Sequence, residues 1–541
     1  MLIPKKLELI TVFLTLCLVV SNFSHAQNVH SDNGNGTYTN PLISADFPDP
    51  DVIRVGDTYY MVNTTMFVFP GVPILKSHDL VNWEYCSNAV QRFDFSKCYD
   101  LDSCNRYGHG QWATSLKYHN GKFYLLFITL NEGGFMCTAD KPEGPWHITH
   151  LPKGFYDPGL FFDDDARPDD PLGRGKAYVA QGYNKISITE VNDSLVPVGP
   201  DSLVFTGDIR KGLEGTHVYK INGYYYLYCT YGGRDGMQVA LRSKNIYGPY
   251  EEKLLMYDTT KGINYGIHQG ALIETQTGEW WTILFVDSGP FGRFPSLQPV
   301  TWKDGWPMIG VNGKAVTKFK KPDVGRKYPI TDLPKSDEFN EKKLGMQWGW
   351  NHNPDSTKWS LTKKPGYLRL ATVSVVSDLT KARNTLTQRP FANRDQTVPT
   401  VATTKIDVSK MKDGDITGLA VFQQPYAFIG VEELNGKKYI IMVNNGKTVD
   451  SVAINHSTIY LKTIASNSSG KAGFEYSRDN KTFKPFGNEL NMRFSLKIFT
   501  GNKFCLFNYA TKETGGYVDF DWFRVSSKEA KLKEQINESK N

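Results

Sequence analysis

The 541-residue sequence has few cysteines, no run of lysine and arginine, no apolar stretch long enough to cross a bilayer, and no EF-hand spacing. Each absence excludes something. The apolar run over residues 9–20 falls short of the ~20 residues a spanning helix needs. With Lys5 and Lys6 before it and Ser24-His25-Ala26 after it, the run reads as an export leader over 1–26. Leu16 is not the small residue a lipid anchor at Cys17 would require, so the mature chain is expected to start at Gln27, exported to the periplasm or beyond and free of the membrane. Cys86, Cys98, Cys104, Cys137, Cys229 and Cys505 remain, and their spacing matches no zinc pattern. Cys98 and Cys104 flank a short polar loop and could pair in an oxidising compartment. The net charge of +6 is dispersed, without an aromatic-basic stripe, which excludes a nucleic-acid footprint.

Aromatic residues, by contrast, are plentiful: 13% of the chain, including 29 Tyr, 31 Phe and 11 Trp. They suit strand-rich domains and surfaces that stack on sugar rings. The length calls for at least two domains. Around Glu214 the chain runs through an alternating apolar strand, turns at Asn222-Gly223 and returns as an aromatic strand, a hairpin signature because both turn residues need positive φ. Related units begin at Asp49, Trp112 and His268, and a looser one at Asp157 carries an acidic insertion. Their turn glycines, Gly56, Gly121, Gly175, Gly223 and Gly278, lie roughly 50–65 residues apart, the rhythm of a β-propeller. An all-β fold with a five-bladed propeller over 38–320 is expected.

The first strand of each blade lines a propeller's central channel, so Asp49, Trp112, Asp157, Glu214 and His268 should converge on the axis. A single carboxylate at a strand start is ordinarily a solvated turn residue. Five such heads in register point to a site. Phe67 and Phe69 read either as core or as a sugar-stacking wall. The acidic loop containing Asp163–Asp165, Asp169 and Asp170 reads as a solvated turn rather than a calcium site. A proline-spaced connector over 321–335 leads to short alternating runs over 336–526, the pattern of a β-sandwich, and 527–541 is a charged tail.

Glycoside hydrolysis needs one carboxylic acid to protonate the leaving oxygen and one carboxylate to activate water or attack the sugar. A third carboxylate raises the acid's pKa by like-charge repulsion. Asn40-Pro-Leu-Ile-Ser-Ala-Asp-Phe-Pro-Asp49-Pro, Gln111-Trp-Ala113, Phe155-Tyr-Asp157-Pro, Glu214-Gly-Thr-His217 and Gly292-Arg293 closely resemble glycoside hydrolase family 43, inverting enzymes on a five-bladed propeller. Trp348-Gly-Trp350-Asn-His-Asn-Pro354, Tyr367-Leu-Arg-Leu370 and Ala382-Arg-Asn-Thr-Leu-Thr-Gln-Arg389 resemble the concanavalin A-like sandwich of its β-xylosidase and α-L-arabinofuranosidase members. The sequence departs from the family at Trp112-Ala-Thr114, where Trp-Ala-Pro is frequent, and in the insertion before Gly175.

The resemblance implies that Asp49 is the general base, Glu214 the general acid and Asp157 the modulator of its pKa. His268 would be the family's axial histidine, holding a water or cation at the channel floor, with a satisfied core histidine as the alternative. Arg293 would reach substrate hydroxyls, with a surface ion pair as its alternative, and Trp112 would bind sugar. The expected activity is exo-acting removal of terminal α-L-arabinofuranosyl groups from cell-wall oligosaccharides or polysaccharides; β-D-xylosidase is the alternative, and a non-catalytic sugar-binding propeller the competing class. No cofactor is expected to be required, and a structural calcium is considered near His268 or Asp521.

Overall fold

Two of the predicted turns show directly why the hairpins form. Asn120-Gly121 and Asn222-Gly223 are left-handed at both positions (φ 49° and 79°, 50° and 76°), the geometry whose twist matches paired antiparallel strands. The computed structural model describes residues 30–165, 175–208, 210–260, 265–394 and 397–526. The expected leader and tail, and Asp169 and Asp170 of the acidic loop, lie outside the described residues.

Five four-stranded antiparallel sheets form the propeller. Their first strands are Asp51–Val55, Gln111–His119, Gly159–Asp163, Leu213–Ile221 and His268–Glu274. The ring is closed where the chain enters and leaves it: Thr37–Thr39 pairs with Lys318–Lys320. Asn40 ties the entering segment to the last blade, its amide donating to Leu297 O and Val316 O at 2.8 Å and accepting from Leu297 N–H at 2.9 Å. Val52, Met61 and Leu75 of the first blade pack with Ala271, Ile283 and Leu297 of the last. Burial of each larger side chain there contributes roughly 1.5–3 kcal/mol.

The second domain is a sandwich of two antiparallel sheets. Trp350, Leu386, Leu419 and Ile429 on one sheet and Leu370, Ile406, Leu461 and Phe520 on the other belong to a single buried core. One sheet continues into the propeller: Val68–Phe69, in a loop of the first blade, pairs with Asn351 and Trp350 of the sandwich. This corrects the sugar-wall reading of Phe67 and Phe69. Both are 1% exposed. Phe67 packs between Tyr107 and His352, and Phe69 against Phe93 and Tyr99. An edge strand adopted by the neighbouring sheet leaves no ring face for a ligand.

The connector is docked on the propeller. Lys321 Nζ reaches Asp32 at 2.6 Å and Asp79 at 2.7 Å, and Leu333 is buried. Cys98 and Cys104 form a disulfide, while Cys86, Cys137, Cys229 and Cys505 are free. In the described part of the acidic loop, Asp163 and Asp165 both pair with Lys220, and Tyr225 donates to Asp163. Asp521 is ion-paired with Lys405 at 2.6 Å.

Candidate active site

Four of the five strand heads carry a backbone kink, but not at the same residue. Asp49 and Asp157 are themselves left-handed (φ 53° and 45°), whereas Glu214 and His268 each precede the left-handed residue, Gly215 (φ 65°) and Gln269 (φ 49°). The strands slip register just after Glu214 and His268, and Trp112 lies within a slip between Gln111 and Thr114. A bulge re-aims side chains and interrupts regular pairing, and the left-handed residue is the head itself in two blades and the next residue in two others.

Asp49 is nearly buried. Its Oδ2 accepts from Thr64 Oγ1 at 2.6 Å and its Oδ1 from Arg293 Nη1 at 2.8 Å. Asn63 holds the loop behind it by donating to Phe47 O and Pro48 O. Glu214 Oε2 accepts from Tyr156 O–H at 3.1 Å. Its carboxyl lies so close to Gly232 that a Cβ there would come within 2.2 Å of Oε1. Burial pushes Glu214 up to about 7, opposed by the Tyr156 hydrogen bond and helped by the charge of Asp49. Asp157 rises well above the usual carboxylate range, first through burial and then through Glu214 and Asp49, although the Gly215 N–H and Arg293 favour its anion. The three carboxylates therefore share one electrostatic environment.

His268 is buried against Phe285, their ring centres 4.5 Å apart, and fits because Gly236 has no side chain. Its Nδ1 donates to Gly266 O at 2.6 Å, and burial lowers its pKa. A neutral ring in that tautomer leaves Nε2 as an acceptor, which suits a water. The described residues contain no group of three or more histidine, cysteine, aspartate or glutamate side chains placed to hold a metal. Arg293 is 6% exposed, which overturns the surface ion-pair reading: it pairs with Asp49 inside the site, and its Nε and Nη2 have no hydrogen-bond partner among the described residues.

Glu214, His268, Gln269 and Arg293 line a cavity of about 1150 Å³ that is also walled by Phe494, Leu496 and Phe499 of the sandwich. Trp112 joins this wall indirectly: it is half-buried, stacks on Phe499 at 4.9 Å and leans on Tyr156. The guanidinium of Arg293 lies over Phe499 and Phe494, at 5.1 and 5.9 Å. Sequence reasoning missed Tyr156, Phe494, Leu496 and Phe499. The available signal was a pair of phenylalanines in a stretch that lacks strand alternation.

Comparison with known proteins gives the family. Residues 38–307 match the family "Glycosyl hydrolases family 43", and 336–526 match "Beta xylosidase C-terminal Concanavalin A-like domain". A β-xylosidase of Formosa agariphila is 36% identical over 550 aligned residues, covering 91% of this chain and 90% of that protein. A non-reducing end α-L-arabinofuranosidase of Bacteroides ovatus is 33% identical, covering 62% and 65%. Among solved structures, a bifunctional GH43-CE protein of Bacteroides eggerthii superposes with a TM-score of 0.81 at 39% identity, over 91% of this chain; the chain spans 64% of that protein's length. Two matched domains in order and a relative similar along nearly its whole length mean that the chain belongs to glycosyl hydrolase family 43.

Proposed function

We propose that this glycosidase is an exo-acting, inverting β-D-xylosidase that removes terminal xylose from plant cell-wall oligosaccharides, with Glu214 as general acid and Asp49 as general base. Glu214, protonated below about pH 7, would give its proton to the glycosidic oxygen as the bond to the anomeric carbon breaks. Asp49 would take a proton from the water that attacks the opposite face. The unpartnered Nε and Nη2 of Arg293 are donors for sugar hydroxyls, the charge of Asp49 and burial hold the acid's pKa up, and Asp157, whose own pKa is raised in part by Glu214, is assigned the role of modulator. No step calls for a cofactor, because two carboxylates supply both proton transfers. The cavity is walled by a second domain, which supports action on a chain end.

The observation that carries the hydrolytic roles is the trio of carboxylates, Asp49 and Asp157 buried and Glu214 half-buried at the cavity, with Glu214 raised and Asp49 fixed by Thr64 and Arg293. The choice of sugar rests on the whole-length similarity to a β-xylosidase. Similarity to an α-L-arabinofuranosidase supports the second reading, removal of terminal α-L-arabinofuranosyl groups, and the two differ in pocket geometry rather than in catalytic groups. Export to an oxidising compartment is part of the proposal and is supported by the Cys98–Cys104 disulfide.

Assay on p-nitrophenyl β-D-xyloside, α-L-arabinofuranoside and α-L-arabinopyranoside tests the sugar. A higher kcat/KM on the arabinofuranoside would replace xylosidase with the second reading, and activity on none would favour a sugar-binding propeller. Proton NMR of the first-formed sugar, before mutarotation, tests inversion; a product of retained configuration would overturn the base role of Asp49.

A further inference from the structure

Three residues before Asp49, the side chain of Asp46 joins the two domains at the back of the catalytic loop. It is 2% exposed. Oδ1 accepts the N–H of Arg293 at 3.0 Å, in the last propeller blade. Oδ2 accepts the N–H of Gly501 at 2.8 Å and faces Lys503 Nζ at 3.4 Å, both in the sandwich. The backbone O of Asp46 accepts from Arg389 Nε at 2.7 Å, and the next N–H, of Phe47, donates to Arg293 O at 2.9 Å.

Three strands of chain meet here only because two positions lack side chains. A Cβ on Gly292 would stand 2.2 Å from Asp46 Oδ1, and one on Gly501 would stand 2.1 Å from Phe291 O. The sandwich grips the same turn elsewhere: Asn502 N–H donates to Pro290 O at 2.9 Å, and Asn467 Oδ1 accepts Phe291 N–H at 3.0 Å. Residues 289–293 are thus held between the domains, and Arg293, which leaves that turn, carries the hydrogen bond to Asp49 Oδ1. Lys503 is 5% exposed. Burial pulls it down to about 8, against the attraction of Asp46.

We propose that Asp46, with Lys503 as its counter-charge, is the positioning residue through which the sandwich sets the geometry of the Arg293–Asp49 pair. The sandwich is then part of the catalytic apparatus even though it supplies no acid or base. The inference rests on the reading of Asp49 as the base. It differs from an ordinary structural ion pair because both domains share one carboxylate, and each of its oxygens bonds a residue adjoining the site.

The test uses the full chain and whichever aryl glycoside and oligosaccharide the wild type hydrolyses. Asp46→Asn keeps the shape, loses one of the two backbone acceptors and leaves Lys503 without a counter-charge. Misplacing catalytic groups by about 1 Å can cost on the order of 10²-fold, and kcat should fall by about that much at temperatures well below the variant's Tm. The loss should be the same for good and poor leaving groups, since water activation rather than protonation is disturbed. Lys503→Met keeps both backbone bonds and should lose less. Asp46→Asn/Lys503→Met should lose less than the product of the two single losses, because the residues act as a pair. A lowered Tm with unchanged kcat per folded molecule would make Asp46 merely structural and overturn the proposal. If Asp46→Asn does not fold, the same outcome in Lys503→Met decides against it. Activity absent from the wild type on every glycoside would strike the hydrolase assignment of the site instead, leaving Asp46 without a reaction to position.

Discussion

The strand heads of the propeller and the 494–499 segment of the sandwich meet at one cavity but reach it by different routes. The heads come from a repeat: a first strand begins, the chain kinks, and a carboxylate or histidine enters the channel. The sandwich segment belongs to no repeat, and it brings Phe494, Leu496 and Phe499 to the cavity from a single irregular stretch. The first region supplies the charged groups to which the proposal gives proton transfer; the second supplies an apolar wall whose rings lie against Arg293. Chemistry built on a repeat therefore survives in a pocket whose shape is set by something outside the repeat.

The sharpest way to break this comparison is to remove the two proton-transfer groups separately. Glu214→Ala should lose on the order of 10²–10⁴-fold in kcat/KM on a natural oligosaccharide, the usual contribution of a positioned acid, and much less on an aryl glycoside. Asp49→Asn should lose a similar factor on both, because every leaving group needs the attacking water. Equal losses on the two substrates in Glu214→Ala would take the acid role away from it.

Next in size is the wall. Phe499→Ala removes the ring that stacks on Trp112 and covers Arg293. Aromatic pairs contribute about 0.5–1.5 kcal/mol beyond their buried area, so KM should rise by roughly 3- to 10-fold or more, with a smaller change in kcat. Phe69→Ala, at the interdomain strand, should instead destabilise the fold by the roughly 3–5 kcal/mol typical of a buried aromatic, lowering Tm, and leave KM of the folded enzyme unchanged. Steady-state kinetics beside thermal melts would separate them, and a KM effect from Phe69→Ala would restore it to the sugar wall.

The pH dependence is a subtler probe of the charged region. Glu214 must be protonated to act, so kcat/KM should fall as pH rises through about 7. If Asp157 acts as the proposed modulator, adding to what burial and Asp49 already do to Glu214, Asp157→Asn should move that limb to lower pH, toward the ordinary glutamate range. An unmoved limb with normal activity would remove Asp157 from the site. The smallest expected effect is that of a chelator: dialysis against one, with assay at low temperature, should change kcat less than about two-fold if carboxylates alone carry the proton transfers. Complete loss, reversed by calcium and without unfolding, would contradict that.

Much of this was legible in the chain itself. Asn-Gly turns declare hairpins because few residues tolerate two successive positive φ angles, and recurrence of the hairpins declares blades. Asp49, Asp157 and Glu214 stand out because they recur at strand starts. Phe67 and Phe69 show the limit: their composition suits a sugar platform or a core equally, and only the pairing of Val68–Phe69 with Trp350 and Asn351 decides for the core. Asp46 shows it again, since its partners lie 247 and 455 residues away in sequence.

What the sequence determined alone was therefore whatever depends on local backbone preference and repetition: the strands, the blade count, the order of domains and which carboxylates stand at the blade heads. The tertiary structure decided which residues share a cavity, which ring faces remain open and how far burial and neighbouring charge raise Glu214. These depend on groups brought together from distant parts of the chain, and both desolvation and Coulomb interaction act through space rather than along the sequence.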